Sequence, residues 1–123
     1  MFKRNTILQL INGSNDGLEG DASLDSRGRI YTTSGYDTPT TANVATSTSN
    51  ATLSAADVTL GGRAIANDSA AILYVKFGAT ASSTSYTVAM AAGAYYEVPF
   101  WYRGRIDGIL STGTGSARVT EVR

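Results

Sequence analysis

The sequence has neither cysteine nor histidine. Without thiols there is no disulfide, no thiolate nucleophile and no cysteine-ligated metal. Without imidazole the commonest general base and the commonest zinc ligand are gone. Charge is scarce as well. Lys, Arg, Asp and Glu make up 16% of the 123 residues, 10 basic against 10 acidic, so the formal net charge is zero. An average soluble domain carries roughly 25%. This balance argues against nucleic-acid binding by phosphate neutralisation and against a polybasic membrane-surface domain. No apolar run approaches the roughly 18 residues of a membrane span. The apolar stretch Ile7–Ile11, broken by Gln9, is too short for a secretory h-region, and no small-residue cleavage site follows it. The chain is therefore read as unprocessed and made in a cytoplasm.

Small residues dominate instead. With 17 Ala, 16 Thr, 13 Ser and 13 Gly, four residue types supply nearly half the chain. Abundant Thr, Ser and Tyr suit strands with a hydroxyl-rich outer face. Long helices are poorly served, since Leu, Glu and Lys are few. A surface so weakly charged repels copies of itself weakly, so self-association or burial in a larger assembly is expected.

The pattern along the chain falls into three zones. Residues 1–11 form a short apolar arm, and Thr6–Ile11 has the length of one strand. Residues 12–50 are turn formers and short polar side chains, with too little apolar bulk to offset the cost of ordering the backbone, about 1–2 kcal/mol per residue. That zone is expected to be extended, ordering only against a partner. From residue 51 onward, short segments alternate with period 2. They are Gly61–Ala66, Ala71–Phe77, Ser85–Met90, Tyr95–Phe100, Ile106–Leu110 and Ala117–Val122, separated by turn residues such as Asn67-Asp68-Ser69. Pro99 lacks a ladder donor, so its strand belongs at a sheet edge or ends there. The expected fold is all-β: a small antiparallel β-sandwich of about six to seven strands over residues 51–123, behind an extended N-terminal arm and Ser/Thr/Gly-rich segment over 1–50. Its expected core is Ile65, Leu73, Val75, Phe77, Tyr86, Val88, Met90, Tyr96, Val98, Ile106, Ile109 and Val119.

The runs Asn67-Asp68-Ser69, Ile72–Gly78, Tyr86–Val88 and Gly93–Pro99, with the ending Tyr102–Ile109 and Gly115–Glu121, resemble small virion proteins of tailed bacteriophages. The stretch Tyr31–Tyr36 resembles segments preceding that domain. The resemblance covers roughly residues 64–122 and implies a virion structural protein, of the capsid decoration (cement) or fibre-associated kind, with no catalysis and no cofactor. Gly62-Arg63-Ala64-Ile65-Ala66 departs from it, standing where a bulkier strand belongs.

Candidate sites follow from residue chemistry. Asp16, Glu19, Asp21 and Asp25 lie among glycines, but an EF-hand loop starting at Asn12 needs Glu at its twelfth position, where Ser23 stands. The segment is read as a solvated loop and no metal site is expected. Arg27-Gly28-Arg29 and Arg103-Gly104-Arg105 have acids nearby, Asp25 and Asp107, which favours local ion pairs over phosphate binding. The aromatic cluster Tyr95, Tyr96, Phe100, Trp101 and Tyr102 is the strongest surface signal. Alternation puts Tyr96 and Phe100 inward, leaving Tyr95 and Trp101 outside. An exposed Trp and Tyr beside Arg103 have the composition of an interface anchor. A lid over the sandwich end and a sugar platform are the competing readings. The expected partner-binding residues are Phe2, Ile7, Leu8, Leu10 and Ile11 on the arm, with Tyr95, Trp101, Tyr102 and Arg103 on the domain. The expected partner is the major capsid protein of the same virion, bound by a homo-oligomer on the capsid surface, with no nucleic acid and no membrane. A tail- or fibre-associated receptor binder is the alternative.

Overall fold

The computed structural model describes residues 23–24, 30–31, 37–99 and 101–123. The chain divides into the units Met1–Gly35 and Tyr36–Arg123. In the first, β1 (Ser23–Leu24) and β2 (Ile30–Tyr31) pair antiparallel, Ser23 opposite Tyr31. The second holds β3 (Pro39–Ser47), β4 (Ala51–Ser54), β5 (Gly62–Asp68), β6 (Leu73–Phe77), β7 (Val88–Met90), β8 (Tyr95–Val98), β9 (Ile106–Leu110) and β10 (Thr114–Val122). These form two antiparallel four-stranded sheets, ordered β3-β10-β5-β8 and β4-β9-β6-β7. The all-β sandwich is as expected, with eight strands rather than six or seven. It begins at Pro39, not at residue 51. β3 lies inside the zone read as extended, because nine paired positions along β10 order it where side-chain bulk does not.

Alternation places the core. The first sheet turns Val44, Ile65, Tyr96, Val98, Ala117 and Val119 inward, and the second turns Leu53, Leu73, Val75, Met90, Ile106 and Leu110 to meet them. β8 is an edge strand and stops at Val98, immediately before Pro99. Gly108 faces inward on β9. A Cβ there would lie 2.7 Å from Leu53 Cδ1 and 3.2 Å from Leu73 Cδ1, so glycine lets two leucines close over the strand.

Two expected core residues are displaced. Tyr86 is 45% exposed. The chain turns tightly between Ser82 and Ser85, β7 starts only at Val88, and the Tyr86 ring swings out to pack on Tyr74 at 4.8 Å. Ile109 sits between the inward Gly108 and Leu110 and is only half-buried. Phe77, Val88 and Tyr96 are partly buried against the core, whereas Leu53, Leu60 and Leu110, absent from the expected set, are fully packed.

Polar groups fasten the turns. Asn67 is 1% exposed and points inward from β5. Its Nδ2 donates to Ala71 O (2.8 Å), Met90 O (3.0 Å) and Ala91 O (3.0 Å), while its Oδ1 accepts from Ser69 N and Ser69 Oγ. Among the described residues, Thr46 Oγ1 is the buried side-chain oxygen with no hydrogen-bond partner. Thr46→Val keeps the shape and removes that desolvated hydroxyl, so it is expected to raise stability by about 1 kcal/mol. Urea unfolding checks this. A loss of stability would mean the hydroxyl is satisfied in solution.

Asp107 is buried on the outer side of β9 under the segment 78–85. It accepts from Arg105 Nε (2.7 Å) and Nη2 (2.9 Å), Asn50 Nδ2 (2.8 Å) and Thr80 N (2.8 Å). Burial alone would raise its pKa, but the bonds from Arg105, Asn50 and Thr80 overcome that and bring it down to about 2. The unfolded carboxyl titrates near ~3.9. The folded state thus holds fewer protons, and the stability is complete above that value and lost as pH falls towards 2. The urea midpoint is expected to stay level from neutrality to about pH 5 and then fall. Asp107→Asn should fall less steeply. An unchanged slope in that variant would remove Asp107 as a cause.

Candidate interaction surface

Two loops close one end of the sandwich: residues 55–61, from β4 to β5, and residues 99–105, from β8 to β9. Each is held by the other. Asp57 N donates to Arg103 O at 2.9 Å, and Arg103 Nε donates to Leu60 O at 2.8 Å. Within the first loop, Asp57 Oδ1 accepts from Thr59 N (2.9 Å) and Thr59 Oγ1 (2.6 Å), while Oδ2 accepts from Arg123 Nη2 (2.7 Å). The Thr59 hydroxyl, then Arg123, hold the Asp57 carboxyl well below the usual range. Leu60, 1% exposed, plugs the loop into the interior.

The second loop is pinned from inside by Arg63, 5% exposed on the inward face of β5. Arg63 Nη1 donates to Gly104 O (2.8 Å) and to Ser54 Oγ (3.0 Å), and Nη2 donates to Tyr102 O (2.8 Å). Ser54 Oγ in turn donates a hydrogen bond to Glu121 Oε1 at 2.7 Å. Burial lowers the guanidinium pKa and Glu121 opposes that change. The Tyr102 ring lies 5.4 Å from the Arg63 guanidinium and stacks on Phe77 at 4.3 Å. Its hydroxyl donates to Arg105 O at 2.6 Å. A side chain at Gly104 would collide with this ring, 2.6 Å from the hydroxyl oxygen, so glycine is required there for Tyr102 to fold back.

On this frame stand two exposed apolar side chains, Val58 at 82% and Trp101 at 68%. Trp101 meets the Tyr102 ring edge-on, centroids 6.1 Å apart. An exposed indole on a cross-braced loop loses little conformational entropy on contact, which is what an interface anchor requires. Leu60 is buried and Tyr102 half-buried beside them.

The expected site residues therefore separate. Trp101, Tyr102 and Arg103 come together: Trp101 is presented, Tyr102 is half-buried beneath it, and Arg103 ties the two loops. Tyr95 stands apart. It begins β8 and faces outward from the sheet, its hydroxyl 3.2 Å from Glu97 Oε1, beside a shallow groove of about 460 Å3 floored by Gly62 and Ala64. Phe2, Ile7, Leu8, Leu10 and Ile11 lie outside the described residues, as do Asp16, Glu19, Asp21, Asp25, the Arg27–Arg29 pair and Phe100. The ion pair foreseen between Arg105 and Asp107 is present at 2.7 Å. Two contributors went unforeseen. Val58 lies in a short loop between strands, where no periodic signal tells it from the buried Leu60. Arg63 had a signal: it takes the inward phase in Gly62–Ala66.

No protein-family model matches this chain, and neither the curated proteins nor the solved structures contain a match.

Proposed function

We propose that this chain is a bacteriophage virion structural protein that decorates and stabilises the head shell, binding the major capsid protein in many copies as a homo-oligomer. The observation that carries the reading is the hydrogen-bonded loop pair with Val58 and Trp101 exposed on it. Rigid aromatic anchors suit protein contacts, and hundreds of weak contacts on one shell sum to strong holding. The resemblance of residues 64–122 to small virion proteins and the weak surface charge support it. Four of the six described side-chain carboxylates, Asp57, Asp68, Asp107 and Glu121, are engaged by arginines, which favours binding over catalysis.

Pelleting with heads that lack the protein tests this directly. The wild type is expected to saturate at hundreds of copies per particle. Trp101→Ala is expected to weaken binding more than tenfold, the loss of one anchor of about 2 kcal/mol, with the fold intact. Removal of residues 1–11 is expected to abolish binding while the sandwich stays folded. A copy number of a few to a few dozen in native virions would overturn the head assignment for the tail or fibre alternative. Loss of host adsorption by otherwise intact Trp101→Ala particles would do the same.

A further inference from the structure

The two sheets leave four edge strands, and three of them are blunted. β4 has four residues and a register shift between Thr52 and Ser54. β7 has three residues. β8 has four, carries Glu97 and ends at a proline. These are the usual devices that keep sheet edges from joining. β3 has none of them past its first position. It runs for nine residues, Pro39-Thr40-Thr41-Ala42-Asn43-Val44-Ala45-Thr46-Ser47, without a bulge in its register. No charged residue stands between Asp37 and Asp57. Among the described residues, β3 pairs only with β10.

The direction of its backbone groups can be read from the ladder. Thr38 and Arg123 exchange both hydrogen bonds, Thr38 N to Arg123 O at 3.0 Å and Arg123 N to Thr38 O at 3.1 Å. Antiparallel pairs alternate between bonded and non-bonded. The even residues of β3 therefore spend their N–H and C=O on β10, and Thr41, Asn43, Ala45 and Ser47 point theirs outward. With Pro39, whose carbonyl also points outward, this set is symmetric about Asn43.

We propose that β3 pairs with β3 of a second copy, antiparallel, on a two-fold axis through Asn43, joining two four-stranded sheets into one. In that register Asn43 faces Asn43 of the other copy, Thr41 faces Ala45, and Ser47 faces Pro39. Each of these facing positions has outward backbone groups, and only Pro39 lacks a donor. No charge opposes its like anywhere along the seam. The occupant is a second copy because the strand is its own complement in length, in backbone phase and in the absence of charge. The pairing stands apart from the virion reading, and failure to bind heads would leave it intact.

Sedimentation equilibrium of the full chain at ~100 μM tests it. The wild type is expected at twice the 12.8 kDa of one chain. Asn43→Pro removes an outward N–H that β10 does not use and fixes φ at an edge position, where proline is tolerated, and Asn43→Lys sets two ammonium groups face to face on the axis. Both are expected to sediment as monomers with unchanged far-UV circular dichroism. Nitroxide labels on Asn43→Cys are expected to be strongly dipole-coupled, with Cα atoms ~5.5 Å apart. Labels on Ser47→Cys are expected near ~27 Å, eight residue steps along the seam. A monomeric wild type would overturn the proposal. So would a dimer surviving both substitutions, equal coupling at the two label positions, or a dimer abolished by removing residues 1–11 but not by Asn43→Lys.

Discussion

Asn67→Asp is expected to cost about 4 kcal/mol at neutral pH, although it changes one NH2 into an oxygen and leaves the shape alone. The reason is the company this atom keeps. Asn67 Nδ2 points at three carbonyl oxygens, those of Ala71, Met90 and Ala91, each within 3.0 Å. An oxygen there is repelled by all three. If ionised, it also brings a charge into a site with 1% exposure and no cation among its bonded partners. The carboxyl therefore takes up a proton in the folded state at a pH where the unfolded chain has lost it. Its folded pKa is raised, the folded state binds more protons, and the variant loses stability as pH rises from about 4. Urea unfolding of wild type and variant, compared at pH 4 and pH 7, reads this as a difference that widens with pH. A difference below about 1 kcal/mol at both values would show that the carbonyls turn away or that water enters.

Arg63→Met is expected to cost about 3 kcal/mol and, with it, the proposed head binding. Methionine fills the volume, so lost packing is a small part. The loss comes from Tyr102 O and Gly104 O, which give up charged donors at 2.8 Å in a part-buried site. Glu121 keeps its pair with Arg123 at 3.0 Å, so no carboxylate is stranded. The expected consequence is local: the loop 99–105 loosens, and Trp101 loses the support that made it an anchor. Trp101→Ala provides the contrast, since it should weaken head binding while leaving stability within about 0.5 kcal/mol. Arg63→Met protein that unfolds like the wild type would mean the loop is held by Tyr102 and Phe77 alone.

What the sequence revealed depended on phase and bulk. Leu73–Phe77 and Tyr95–Val98 alternate large apolar residues with polar ones, and both are strands with those faces inward. Asn67-Asp68-Ser69 reads as a turn in the sequence, but β5 runs on through Asn67 and Asp68 because both pair with β10, and nothing in the sequence marks the Asn67 amide that fastens three backbone carbonyls. β3 was illegible for a physical reason. Its stability comes from backbone pairing with β10, and its side chains, Val44 excepted, are too small to mark a buried face. Tyr86 kept the right phase for burial, but a tight turn ended the strand before it. At the candidate surface, Trp101 was legible because exposure of a large aromatic follows from alternation. Arg63 was seen only as a departure from expected bulk, because sequence cannot tell a buried guanidinium with carbonyl partners from an exposed one.

The indole of Trp101 is the only one in the chain, and it stands outside the hydrophobic interior. Tryptophan emission is therefore blind to the interior and sensitive to whatever touches the loop. Melting followed by that fluorescence reports when the loop lets go, and the interior has to be followed by circular dichroism. Docking, by contrast, is self-reporting: a blue-shifted spectrum on mixing signals that the ring has left water, with no dye attached.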